Sequence, residues 1–192
     1  MARPPSFDRR AVVLAAMEVF WQLGYQRASI KVLGEAMGLK PGSIYAAFGS
    51  KEGLFREVLE AYVGQVGAKV SLDRVGPAGV LEGWFAEHIA AATATPEGRG
   101  CLLLNSAFEV AAVDSPSADL IRHELELLES FFEACVRAAR AQRPAPPGGS
   151  RADAKATARA LVSTLGGISM LSRAGSSRSD LEEVARVALM AV

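Results

Sequence analysis

Two cysteines and two histidines in 192 residues leave little room for several kinds of chemistry. Cys101 and Cys135 are no disulfide framework, so a reducing cytoplasm is the expected compartment. With His88 and His123 they are scattered without ligand spacing, and no metal site is expected. No apolar run approaches the ~18 residues that span a bilayer. The N-terminal MARPPSFDRR lacks the apolar core of a signal peptide. A phosphate-cradling glycine loop, an HExxH pair and a GxSxG elbow are all missing. GGS at 148–150 lies in a proline-rich loop, and Glu182-Glu183 are helix neighbours whose side chains diverge. The chain is therefore read as a non-enzyme, with no cofactor expected. It also lacks any β signal and any internal repeat, which leaves an all-α fold of about nine helices.

Half of the residues are hydrophobic, ample for a buried core in a chain of this length. The net charge is zero, which taken alone argues against a polyanionic partner. The distribution differs. Residues 1–56 hold eight Lys/Arg against four Asp/Glu, a net of +4, and residues 57–192 hold thirteen against seventeen, a net of −4. A basic end on an acidic remainder is the asymmetry expected if one end meets nucleic acid.

Within the basic end, IKVLGEAMGLKPGSIYAAFGSK (30–51) reads as two short helices around a glycine turn. Ile30, Leu33, Ala36 and Met37 follow the 3.6-residue period, and Gly38 ends the helix in a left-handed conformation. Pro41 suits the first turn of the next helix, where its missing N–H costs nothing. Ile44 and Phe48 pack back on the first helix, while Ser43, Tyr45, Ala46 and Ala47 point elsewhere. This is the helix-turn-helix pattern. A preceding helix starts at Asp8 or Ser6, carries Val12, Val13, Ala16, Met17 and Phe20 on its apolar face, and stops at Gly24. Arg3, Arg9 and Arg10 lie where DNA could be reached, or are ordinary solvated charges.

Gly24-Tyr25, Ser29-Ile30, Ala36, Gly38, Gly42-Ser43-Ile44-Tyr45, Phe48 and Ser50-Lys51-Glu52 together closely resemble the N-terminal domain of the TetR family of bacterial transcriptional regulators. The resemblance implies a DNA-binding domain over 1–56 and an effector-binding and dimerisation domain over 57–192. It further implies a homodimer on a palindromic double-stranded operator, released when a small-molecule effector binds. By that resemblance Ser29, Lys40, Gly42, Ser43, Tyr45, Ala47 and Lys51 face DNA. Ser29 and Lys51, at helix starts, suit phosphate contacts. Ala28 stands where the family usually has threonine, so one phosphate contact is absent. Lys40 is the main candidate for reading a guanine edge.

Beyond the reader, a helix from Lys51 to about Val70 is expected to bury Leu54, Phe55, Val58, Leu59 and Tyr62. Breaks at LDRVGPAG and PEGRG and the loop RPAPPGGSR divide the rest into five further helices. The last two carry Leu161, Val162, Leu165, Ile168, Met170 and Leu171, then Leu181, Val184, Ala185, Ala188 and Leu189. They either pair with a second copy as a four-helix bundle, as the family implies, or finish a monomer core. Trp84, Phe85, His88, Cys101, Leu104, Asn105, Phe108 and Phe131 are the candidates to line an effector pocket, each also readable as plain core. GRGCLLLNSAFEVA resembles the subgroup that includes the electrophile-sensing NemR and copper-responsive ComR regulators. At a helix start beside Arg99, Cys101 is expected to favour the thiolate, so a thiol-based sensor stands beside a structural cysteine. A DNA-binding protein without an effector is the remaining alternative.

Overall fold

The computed structural model describes residues 7–67, 77–95, 98–110, 115–142 and 152–192. These form nine α-helices and no strand: α1 (Arg9–Arg27), α2 (Ile30–Met37), α3 (Pro41–Phe48), α4 (Lys51–Gly67), α5 (Pro77–Ala92), α6 (Leu102–Val110), α7 (Pro116–Ala141), α8 (Ala154–Arg173) and α9 (Arg178–Leu189). The all-α reading holds. The arm with Arg3, the end of the fourth helix near Val70, most of LDRVGPAG and the loop RPAPPGGSR lie outside the described residues. None of the described helices is long and apolar enough to cross a membrane.

Side-chain oxygens set several of the helix starts. Asp8 accepts the N–H groups of Arg10 and Ala11 at 2.9 and 3.2 Å, Ser29 that of Val32 at 3.3 Å, and Ser50 that of Gly53 at 3.0 Å. Ser115 caps α7 ahead of Pro116, and Ser177 with Asp180 forms a capping box on α9. With these caps α7 begins at Pro116 and α9 at Arg178. Gly24 also behaves differently from expectation. It leaves helical geometry, with φ 75° and ψ 170°, yet the chain regains helix until Arg27, so this glycine kinks α1 and does not end it.

Two apolar clusters organise the molecule. One joins Phe20, Leu33, Ile44, Leu54, Phe55 and Leu59 of α1–α4 to Leu102, Leu103 and Val110 of α6 and Ile121 of α7. The other joins Leu81, Phe85 and Ile89 of α5 to Phe132, Leu161, Leu165, Ile168 and Leu181 of α7–α9. Each fully buried Leu, Ile or Phe contributes on the order of 2 kcal/mol through removal from water. Because α6 and α7 complete the N-terminal core, the reader and the remainder share packed side chains. That sharing gives a displacement in one part a physical route to the other.

Candidate functional site

The turn between α2 and α3 is closed tightly. Gly38 is left-handed (φ 65°), and Leu39 donates its N–H to Gly34 O at 2.9 Å. A Cβ on Gly34 would fall 2.7 Å from Leu39 O, so no side chain fits there. Lys40 precedes α3 in extended geometry, and Pro41 is its first helical residue. Ile44 and Phe48 are buried, and this fixes the helix rotation. Lys40, Gly42, Ser43, Tyr45 and Ala46 are consequently exposed on one continuous surface, with Ala47 half-buried at its edge. Tyr45 is 50% exposed. Ser29 and Lys31 are exposed at the start of α2. Lys31 extends the basic surface; as an ordinary surface lysine it carried no sequence signal.

Two cations near this surface have structural contacts. Arg9 pairs with Glu57, donates to Ala47 O at 3.1 Å and lies 4.5 Å from the centroid of the Phe48 ring. Lys51 Nζ rests 4.4 Å over the Tyr25 ring and 3.4 Å from Gln26 O. Burial lowers its pKa, and the Glu109 carboxylate opposes that shift.

A cavity of about 170 Å³ lies between α4, α5, α6, α7 and α8. Trp84, His88, Cys101, Leu104 and Phe131 line it. The other predicted pocket residues lie elsewhere. Phe85 is 1% exposed and packs behind the cavity against Phe132. Asn105 points the opposite way and donates to Arg99 O at 2.8 Å. Phe108 is 74% exposed. Asn105 and Phe108 border a separate groove of about 290 Å³ between α1, α6 and α8. Cys101 precedes α6 while Asn105 lies within it, so the same-face rule for residues four apart on a helix does not hold for this pair.

Sequence reading missed Tyr62, Val63, Leu103, Glu124, Leu127, Leu128 and Leu165 as lining residues. Glu124, Leu127, Leu128 and Phe131 follow the i, i+3, i+4, i+7 rhythm of one helix face, a signal that the acidic residue disguised.

One hydrogen-bond chain crosses the cavity wall. Tyr62 donates its hydroxyl to Cys101 Sγ at 3.2 Å, and Cys101 N donates to Ser169 Oγ at 3.1 Å. His88 Nε2 is 2.9 Å from that same oxygen and 3.1 Å from Leu165 O. Burial lowers the His88 pKa to about 4, against a smaller opposing effect from Leu165 O, so the ring is neutral near pH 7. Burial also pushes the Cys101 thiol up, outweighing hydrogen bonds from Tyr62 and the backbone of Leu103 and Leu104. The expectation of a favoured thiolate is therefore corrected. Cys101 does sit at the start of α6, accepting the Asn105 N–H at 2.8 Å, but desolvation wins. Arg99 gives it no help: its guanidinium pairs with Glu18 and lies 5.0 Å from the Trp21 ring centroid. Among the described residues, no three His, Cys, Asp or Glu side chains gather to hold a metal ion.

Comparison with known proteins gives a consistent picture. Residues 12–58 match the family model described as bacterial regulatory proteins, tetR family. Residues 80–188 match that of the tetracyclin repressor-like C-terminal domain. The HTH-type transcriptional repressor ComR of Escherichia coli (strain K12) is 32% identical over 195 residues, covering 97% of this chain and 90% of ComR. A cysteine variant of the regulator CifR, solved with 26-bp double-strand operator DNA, is 34% identical, with a TM-score of 0.80 over 98% of each chain. The reduced form of E. coli NemR shares the fold at 15% identity, with a TM-score of 0.77 over 94% of each chain.

Proposed function

The chain belongs to the TetR family of bacterial transcriptional regulators, and from that membership we propose a repressor that binds operator DNA as a homodimer and is released by a small molecule. The observation that carries this reading is the surface of α3. Ile44 and Phe48 are buried, while Lys40, Ser43 and Tyr45 stand exposed beside Ser29 at the start of α2. Ser29, Ser43, Tyr45 and Lys51 position the phosphate backbone, Gly42 and Ala47 permit close approach, and Lys40 contacts a base edge. With few hydrogen-bonding side chains on α3, DNA shape and half-site spacing supply much of the specificity. No catalytic residue is assigned, and the DNA target puts the protein's work in the cytoplasm.

The dimer reading draws support from α8 and α9. Leu161, Leu165, Ile168, Leu181 and Ala185 are buried within the protomer, yet Met170, Val187 and Met190 are 58%, 55% and 75% exposed. A Cβ on the partly exposed Gly167 would meet nothing within 4 Å, leaving space for a partner helix. Two readers related by a two-fold axis require a roughly palindromic site.

For release, α4 and α6 are the connecting elements. Tyr62 and Val63 of α4 line the cavity, and Lys51 opens the same helix roughly 16 Å away at 1.5 Å per residue. A ligand that fits better when α4 and α6 are displaced shifts the population away from the DNA-competent spacing.

Selection of bound duplexes from a fragmented bacterial genome by the full-length protein tests the reading. The expected result is enrichment of an inverted repeat, with one dimer bound per site by light scattering. A 20 kDa species alone at micromolar concentration, or no enriched repeat, would overturn it. DNA binding that no compound in a broad panel relieves would leave a DNA-binding protein without an effector.

A further inference from the structure

The cavity is short of available hydrogen-bond donors. Leu165 O can only accept, so the His88 proton sits on Nε2 and Nδ1 is an acceptor with no partner among the described residues. Glu124 adds a half-buried carboxylate to the wall, and it has no hydrogen bond or ion pair there either. The Tyr62 hydroxyl proton is engaged by Cys101 Sγ. Trp84 Nε1 is fully covered and offers nothing to the open space. Among the described residues no Lys or Arg lines the cavity, and apart from these groups and Cys101 its wall is aliphatic or aromatic. Its volume of about 170 Å³ compares with the roughly 150 Å³ cavity that accepts benzene.

We propose that the cavity takes an apolar molecule about one aromatic ring in size whose polar end donates a hydrogen bond, as an aryl alcohol or a protonated arylalkyl amine does, and that it rejects anions. This rests on reading the cavity as the effector site. A donor facing Nδ1 or the Glu124 carboxylate satisfies a group the fold leaves without a partner. A carboxylate or phosphate would meet Glu124 with like charge and no compensating cation. A ring-sized molecule lacking any donor gains only apolar burial.

Calorimetric titration of the full-length protein with phenol, anisole, benzylamine and benzoate distinguishes these cases. Phenol is expected to bind about tenfold tighter than anisole, one buried hydrogen bond's worth. Benzylamine is expected to bind and benzoate not to. His88→Leu should reduce phenol to the level of anisole, and Glu124→Gln should weaken benzylamine selectively. Anisole matching phenol, or benzoate binding as well as either, overturns the proposal. The wild-type comparison decides even if the His88 variant fails to fold. Repeating the titration with a selected duplex present separates the two readings. Phenol binding without duplex release removes the effector role but keeps the ligand class. Duplex release by some other compound, with none of the donor probes binding, removes the class but keeps the role.

Discussion

Glu109, in the last turn of α6, accepts the backbone N–H of Gln26 at 3.1 Å and fills the space beside the α1 kink. A Cβ on Gly24 would fall 2.1 Å from Glu109 Oε1, and the glycine's φ of 75° already disfavours any side chain. Lys51 reaches Gln26 O from the other side, within the field of the same carboxylate. The helix that walls the cavity at Leu103 and Leu104 therefore ends against the segment that contacts the reader's Lys51.

That relationship makes Glu109 a restraint on DNA affinity. Glu109→Gln retains an acceptor for the Gln26 N–H and removes the negative charge whose field acts on the Lys51 ammonium. At a surface, such a pair is worth at most about 1 kcal/mol. Affinity for a selected duplex should rise a few-fold at low salt, and the gain should vanish in a Lys51→Met background. Fluorescence anisotropy on the four proteins of this cycle measures it. Equal gains with and without Lys51 would show that the two residues do not communicate.

Gly42 separates stability from binding. It lies in the first turn of α3, and a Cβ there would meet nothing within 4 Å. The fold places no demand for glycine at this position, whereas close approach of a DNA backbone would. Gly42→Ala should stabilise the protein by about 0.5–1 kcal/mol through helix propensity, while weakening duplex binding tenfold or more. Denaturant unfolding and anisotropy report the two effects. Unchanged DNA affinity would remove Gly42 from the interface.

Lys40 and Lys51 should fail differently. Lys40→Ala is expected to relax selection at one base-pair position in each half-site, a loss of about 1–3 kcal/mol against the preferred sequence. Lys51→Ala should weaken all sequences alike and lower the salt slope by about one. Duplex libraries read before and after each change show which pattern applies. A uniform loss for Lys40→Ala would make it a second phosphate contact.

The reader was legible from sequence because its constraints are local. Gly38, Pro41 and the Ile44–Phe48 pair each dictate conformation within one or two turns, and family resemblance supplied the exposed surface. The cavity was only partly legible. Trp84 and His88 share a face of α5, and Phe131 follows the stripe of α7, so periodicity found them. Phe85, next to Trp84 in the chain, points into the core, and Asn105 and Phe108 face away because α6 touches two different clefts. Tyr62 was placed in a buried stripe, but nothing local could show that its hydroxyl meets Cys101, thirty-nine residues on.

The neutral His88 makes stability depend on pH. Its folded pKa of about 4 lies below the ordinary value near 6.5, so between those values the unfolded chain binds the extra proton. Stability from this residue is fully present above about pH 6.5 and is lost as pH falls toward 4, by up to about 3 kcal/mol. Urea midpoints for the wild-type protein and His88→Gln at several pH values measure the effect. The variant should lose less stability between pH 7 and pH 4.5. Parallel pH curves for the two would show that another group dominates.

Cys101 tests whether thiol chemistry belongs to the regulator. The thiolate is the reactive form, and reaction at neutral pH requires either a lowered pKa or ready exposure. Here burial raises the pKa, the Tyr62 hydroxyl occupies the sulfur at 3.2 Å, and the cation expected to assist, Arg99, is held by Glu18. Iodoacetamide at pH 7.5 should therefore modify Cys101 at least about tenfold more slowly than free cysteine, with the rate restored in denaturant; mass spectrometry of the Cys101 peptide follows both. Cys101→Ser keeps a small polar atom beside Tyr62 and should leave duplex affinity within about twofold. Its response to a ligand such as phenol should also persist, because the proposed contacts lie at His88 and Glu124. Rapid alkylation of the folded protein, accompanied by release of DNA, would instead make the sulfur the sensing atom. The Tyr62 hydrogen bond would then act as its gate, a role that Tyr62→Phe, by accelerating the reaction, would expose.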